Sequence, residues 1–295
     1  MDYDTLIAVT SWEDRFKMGI NNFLKNNSVK CVILLNFIEY KNYTKDNTDM
    51  LRREFNKKGI NCSLIQLAYN NTKGNWGLIK NKINNLTGSL VIDISTMPRD
   101  IIYFSLYHAE KSEKINDLFC IYNCPEGYSE DKWLTNDPYK PYLIYNMSGI
   151  YEMERDTIMI ILTGFDMKRV EQLLNYIEPE RIYLGLQTGD QYENNIRNAE
   201  QYIEFFKTSL KIEHFDLDAY KDKDYGFNII EELVKNNKNK NVIAASLGPK
   251  PSSIALFQLN KKYPEIGLIH VPVAKFNMKY SYGLNTKKIV FGQIK

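Results

Sequence analysis

VIDISTMPRD, residues 91–100, runs an apolar, strand-like segment into two hydroxyls, a proline and an arginine. The same run returns later in the chain. VIAASLGPK at 242–250 matches VIDISTMPR at 91–99 without a gap, setting Ser95 on Ser246, Pro98 on Pro249 and Arg99 on Lys250. A second pair precedes it: IAVTSWEDR at 7–15 and IILTGFDMKR at 160–169 set Thr10 on Thr163, Trp12 on Phe165 and Glu13 on Asp166. Thr10 to Pro98 is 88 residues and Thr163 to Pro249 is 86. Two matches in one order at nearly one spacing mark an internal repeat.

Around these anchors, short apolar and partly β-branched runs alternate with longer helical patterns, which predicts βαβ units on a mostly parallel sheet. The predicted strands are TLIAVT (5–10), KCVILLNF (30–37), CSLIQL (62–67), LVIDIS (90–95) and LFCIYN (118–123), then TIMIILT (157–163), RIYLGL (181–186), KIEHFDL (211–217), NVIAAS (241–246) and IGLIHV (266–271). NTDMLRREFNKKG and NIRNAEQYIEFFK read as helices between them. The expected fold is α/β: two tandem Rossmann-like domains related by duplication, residues 1–150 and 151–295, joined near NMSGIYEMERD (146–156). A single open sheet of ten strands is the alternative. Each half ends in proline- and tyrosine-rich sequence, and KYSYG (279–283) reads as a lid or as an edge strand of the second domain.

Composition sets the outer limits. A chain of 295 residues with 44% hydrophobic and 13% aromatic content buries a core without staples. Its net charge of +2, with the signs interspersed, gives no general basic field for nucleic acid. No apolar run approaches a membrane span and MDYDTLIAVTSWEDR is acidic, so neither a span nor a secretory signal is predicted and the expected location is cytoplasmic. Three of the four cysteines, Cys31, Cys62 and Cys120, sit in apolar runs and read as small hydrophobes. Cys120 and Cys124 lack the second close pair that a zinc site needs, and the histidines at 108, 214 and 270 are scattered, so no metal is expected.

Ligands of a doubly wound sheet sit beyond the carboxyl ends of its strands, and both repeated motifs belong at that edge. Helix N-termini there suit phosphate or carboxylate. Pro98 and Pro249 are expected in a first helical turn, where the missing N–H costs nothing. Ser95, Thr96 and Ser246 offer hydroxyls to a ligand or to the turn. Arg99 and Lys250 then set a cation against the helix dipole in both halves; a bound anion explains this, and a salt bridge to Asp93, Glu13 or Asp166 is the alternative. After the first strands come Thr10 and Thr163, an aromatic (Trp12, Phe165), an acid (Glu13, Asp166) and a cation (Arg15, Lys168 or Arg169). These can stack a base, take ribose hydroxyls and pair with phosphate; the alternative packs the rings inside and pairs the charges along the helix. The sequence has no G-x-G-x-x-G after either first strand, no P-loop and no G-x-S-x-G elbow, which disfavours a dinucleotide dehydrogenase, a P-loop kinase and a triad hydrolase.

At these junctions the sequence resembles the CRISPR-associated Rossmann-fold (CARF) sensors and related nucleotide sensors of prokaryotic defence. In that family one ligand-contacting segment follows the first strand and another follows the fourth, where a turn containing Thr, Gly and Lys opens a helix. TSWEDR and TGFDMKR hold the first location here, STMPR and SLGPK the second, with the family's glycine-threonine turn replaced. The resemblance implies a nucleotide-binding regulatory protein of antiviral defence, without a cofactor. A phosphorylated or cyclic nucleotide would bind at the interface of the two repeats, and a separate effector protein would respond; a homodimer stays open. A second reading is an enzyme on a nucleotide or other phosphorylated substrate, with Glu13, Asp93 or Asp166 as general base. Asp93 has Ala244 as its counterpart, the asymmetry a catalyst would keep. A third is a scaffold that binds proteins alone.

Overall fold

The computed structural model describes residues 1–129, 134–188, 200–202, 204, 211–220 and 224–295. The predicted helix NIRNAEQYIEFFK lies largely outside the described residues. In chain order the strands of the first half are β1 (Asp2–Val9), β2 (Ser28–Phe37), β3 (Asn61–Leu67), β4 (Gly88–Asp93), β5 (Ile115–Asn123), β6 (Gly127–Tyr128), β7 (Thr135–Pro138) and β8 (Tyr142–Leu143). Those of the second are β9 (Thr157–Leu162), β10 (Arg181–Gln187), β11 (Lys211–Leu217), β12 (Asn241–Ser246), β13 (Gly267–His270), β14 (Val273–Phe276), β15 (Ser281–Tyr282) and β16 (Ile289–Gln293). The described helices are α1 (Asp14–Asn26), α2 (Lys41–Lys57), α3 (Thr72–Ile83), α4 (Arg99–Lys111), α5 (Met167–Ile177), α6 (Phe227–Asn236) and α7 (Pro251–Lys262).

All ten predicted strands form, and they divide between two mixed α/β sheets rather than joining in one. The first sheet runs β16-β5-β4-β1-β2-β3 and the second β8-β13-β12-β9-β10-β11. Strands β1 to β5 are mutually parallel, as are β9 to β13. The central strands are apolar on both faces because helices cover both: Val32 to Phe37 of β2 and Ile158 to Leu162 of β9 are buried throughout. The edge strand β11, KIEHFDL, keeps Lys211, Glu213, His214 and Asp216 exposed, and this charge blunts an open edge. Helix α1 buries Phe16, Ile20, Phe23 and Leu24 at helical spacing against Leu6, Val32 and Leu34. In the second sheet Val170, Leu173 and Leu174 of α5 pack in the same way against Met159, Ile161 and Leu184.

The compact units are not continuous halves of the chain. One comprises Met1–Glu130 with Met278–Lys295, the other Asp131–Asn277, so they depart from a division at residue 150. Antiparallel pairing of the short strands explains the difference. β16 adds to β5, with Ile289 opposite Asn123 and Gln293 opposite Phe119, and β15 pairs with β6. In the other unit β8 adds to β13 and β7 pairs with β14. KYSYG therefore belongs to the first unit, against the expectation that placed it on the second: Ser281 and Tyr282 form β15 there.

Candidate functional site

The strand order reverses at β1/β4 in one unit and at β9/β12 in the other, so the two repeated motifs of each half meet at one sheet edge. Thr10 donates its N–H to Leu35 O at 2.8 Å, and Thr163 its N–H to Gly185 O at 2.9 Å. The Thr163 hydroxyl also donates to Gly185 O, at 2.8 Å. The next contact is made by different atoms in the two units. Thr96 Oγ1 donates to Val9 O at 2.9 Å, whereas Leu162 O, at the end of β9, accepts from the backbone amides of Leu247 at 2.8 Å and Gly248 at 2.9 Å.

The two repeated serines work inside the protein. Ser95 is fully buried; its hydroxyl donates to the Asp93 carboxylate and accepts from Asn123 N at 2.8 Å and Asn123 Nδ2 at 3.1 Å. Asp93 also accepts from Ser95 N at 2.9 Å and Asn123 Nδ2 at 3.4 Å. This network ties the end of β4 to the end of β5. Ser246, also buried, shares a hydrogen bond of 2.7 Å with Ser252 Oγ and accepts one of 3.2 Å from Ser253 Oγ, tying β12 to the first turn of α7. The hydroxyls expected at a ligand are spent on these contacts.

The acids and cations of the first junctions are paired in place. Glu13 forms an ion pair of 2.8 Å with Arg15 and accepts from the Ser281 hydroxyl, while Gly283 N donates to Asp14 at 3.1 Å. Arg15 donates to Tyr122 OH at 3.1 Å. Burial works against its charge, yet Glu13 and Tyr122 hold the guanidinium well above its ordinary pKa. In the other unit Asp166 accepts from Thr135 N at 3.2 Å and faces Arg169 at 3.4 Å. Arg169 also donates to Val271 O at 2.6 Å, and Lys168 donates to Asn136 Oδ1 at 2.8 Å. The repeated acid thus anchors a segment from outside the parallel strands in each unit: the stretch at 281–283 in the first, the one at 135–136 in the second.

Arg99 is the first residue of α4 and Lys250 the N-cap of α7, both half-buried. The prolines sit otherwise than expected. Pro98 is the extended N-cap (φ −57°, ψ 149°) and stays outside the first turn. In the other motif the N1 proline is Pro251 and not Pro249, because the helix starts only after Lys250. Trp12 is half-buried and opens an aromatic row along the sheet edge: its ring meets Tyr40 at 5.5 Å, Tyr40 meets Tyr69 at 5.7 Å, and Tyr69 meets Phe37 at 5.7 Å. Phe165 is half-buried at the matching place in the second unit.

Several residues of this edge carried no motif in the sequence. A Cβ on Gly164 would lie 2.2 Å from Leu247 O, and one on Gly248 2.2 Å from Thr163 O, so only glycine permits the β9 and β12 exits to come this close. Tyr202 donates to Gly164 O at 2.9 Å. Gln187 ends β10 beside them, 5% exposed. Extending the repeat to the second strand would have exposed it, since Phe37 holds the matching place at the end of β2.

All four cysteines are free thiols; Cys120 and Cys124 are buried, Cys31 and Cys62 half-buried. Burial pushes the Cys124 thiol up to about 12 and Cys120 higher still, so neither is a thiolate at neutral pH. Among the described residues no group of three or more His, Cys, Asp or Glu is placed to hold a metal ion. No helix among them is long and apolar enough to cross a membrane.

No family model matches the sequence, and no curated protein does. Among solved structures the chain is similar to the cytoplasmic domain of a prokaryotic cation chloride cotransporter, at 12% identity and a TM-score of 0.30, over 92% of this chain and 96% of that one. At that score the likeness carries nothing over to this protein.

Proposed function

We propose that the chain is a pair of tandem Rossmann-like repeats that binds a phosphorylated or cyclic nucleotide, a CARF-like regulatory protein of prokaryotic antiviral defence that signals to a separate effector protein. One observation carries the reading. Where the strand order reverses, a cation stands at the start of the departing helix in both units, Arg99 in one and Lys250 in the other. A cation there opposes the helix dipole and gains nothing as a cap, whereas a bound phosphate suits both the cation and the positive end of the helix dipole. The row from Trp12 to Tyr69 adds ring faces on which a base can stack. Glu13, Asp93 and Asp166, the candidate general bases, are each engaged within the protein, which favours binding over turnover.

A charge-assisted hydrogen bond contributes roughly 1.5–3 kcal/mol, about tenfold or more in affinity. Thermal melts against a panel of mono-, tri- and cyclic nucleotides are expected to show a raised Tm for the wild type. Arg99→Ala or Lys250→Ala should lose most of that rise while the ligand-free Tm stays near the wild-type value. An undiminished rise in both variants contradicts the site.

A further inference from the structure

We infer that Gln187 of the second unit is the residue that reads a hydrogen-bond acceptor on the bound nucleotide, and that the first unit lacks this capacity. The inference rests on the function proposed above and adds which unit discriminates between ligands. Gln187 is the last residue of β10, next to β9 at the reversal of strand order. The residue is 5% exposed, and its Nε2 has no hydrogen-bond partner among the described residues. A buried amide donor without an acceptor is costly in a folded protein, and such groups call for a specific reason.

Glycine at 248 leaves that donor room. Nε2 would lie 2.9 Å from a Cβ on Gly248, so any side chain at 248 would press on it. Gly248 stands in the turn between β12 and α7, two residues before the Lys250 N-cap. A ligand phosphate at the N-terminus of α7 and Lys250 therefore lies along the turn that the amide flanks. An amide N–H₂ donates to a carbonyl, a ring nitrogen or a phosphate oxygen, and a site built around such a donor rejects ligands lacking the acceptor.

The first unit has filled the same place with carbon. Phe37 stands where Gln187 does, and Met97 where Gly248 does; they are 6% and 0% exposed. Both are apolar, and neither can read an acceptor.

Isothermal titration of the full chain with ATP, AMP, cyclic AMP and inorganic phosphate, beside ligand-free melts, tests this with Gln187→Leu and Gln187→Glu. Expected are a ligand-free Tm for Gln187→Leu at or above the wild-type value, since an orphaned donor is removed, and a loss of at least tenfold in affinity for whichever nucleotide binds. Gln187→Glu should lose more, having a carboxylate in place of the donor. If the wild type binds a nucleotide, Lys250→Ala abolishes binding and Gln187→Leu binds as the wild type does, the role of Gln187 is overturned and the nucleotide site stands. A lowered ligand-free Tm for Gln187→Leu also overturns it, by revealing that the amide already serves the fold. If the wild type binds none of the four probes, the proposed function fails for them and this inference fails with it.

Discussion

Ending the chain at Asn277 is expected to unfold the first compact unit while leaving 131–277 folded. Removing Met278–Lys295 strips β16 from β5, and a strand of 9 residues that is paired on both sides becomes an open edge. It also takes away Phe291, which stacks on Phe119 at 5.4 Å and meets Tyr3 at 6.2 Å and Phe23 at 6.3 Å. Ser281 and Gly283 leave with it, so Glu13 and Asp14 lose those donors. Five ladder positions and an aromatic cluster, each contributing on the order of 1 kcal/mol, amount to much of the roughly 5–15 kcal/mol that holds a domain together. Limited proteolysis read by mass spectrometry checks this: cleavage should spread through 1–130 and spare the second unit. Equal protection of both units would show that the last residues are a dispensable appendage.

Asp166→Ala is expected to destabilise the second unit by about 3–5 kcal/mol, the range for removing one partner of a buried ion pair. Its side chain and that of Arg169 are 3% and 5% exposed, so the guanidinium would be left charged and buried without its carboxylate. Thr135 N would lose its acceptor as well. Replacing both partners, Asp166→Leu with Arg169→Met, should recover part of the loss, though Val271 O then lacks the donor it has at 2.6 Å. Urea unfolding of the three proteins measures this. A single variant as stable as the wild type would return Asp166 to the list of residues kept for chemistry.

The central parallel strands were legible because their apolar runs are continuous, and even the charged edge strand KIEHFDL forms, like NVIAAS, with the bounds the sequence suggests. The short antiparallel strands were not. GY, YL and SY are too brief to show a period, and IVFGQ acquires its meaning only by pairing with residues about 170 positions earlier. No local signal reports such a contact, so the return of Met278–Lys295 to the first unit could not be read. The repeated motifs meet at one sheet edge in each unit, but the contacts of their polar groups within the protein left no mark in the sequence. Ser95 and Ser246 recur because β4 and β12 must each be tied to a neighbour, and Glu13 and Asp166 because each unit anchors an arriving segment. Gln187 follows the apolar run RIYLGL as a lone polar residue, and only the ladder to β11 shows that it ends the strand.

Non-denaturing mass spectrometry of the gently purified full chain tests nucleotide binding most directly. A nucleotide site predicts a bound species whose added mass matches a nucleotide, released on denaturation and missing from the Arg99→Ala, Lys250→Ala double variant. A wild-type protein that flies at its bare 34.6 kDa, and stays there after incubation with the nucleotide panel, would contradict it.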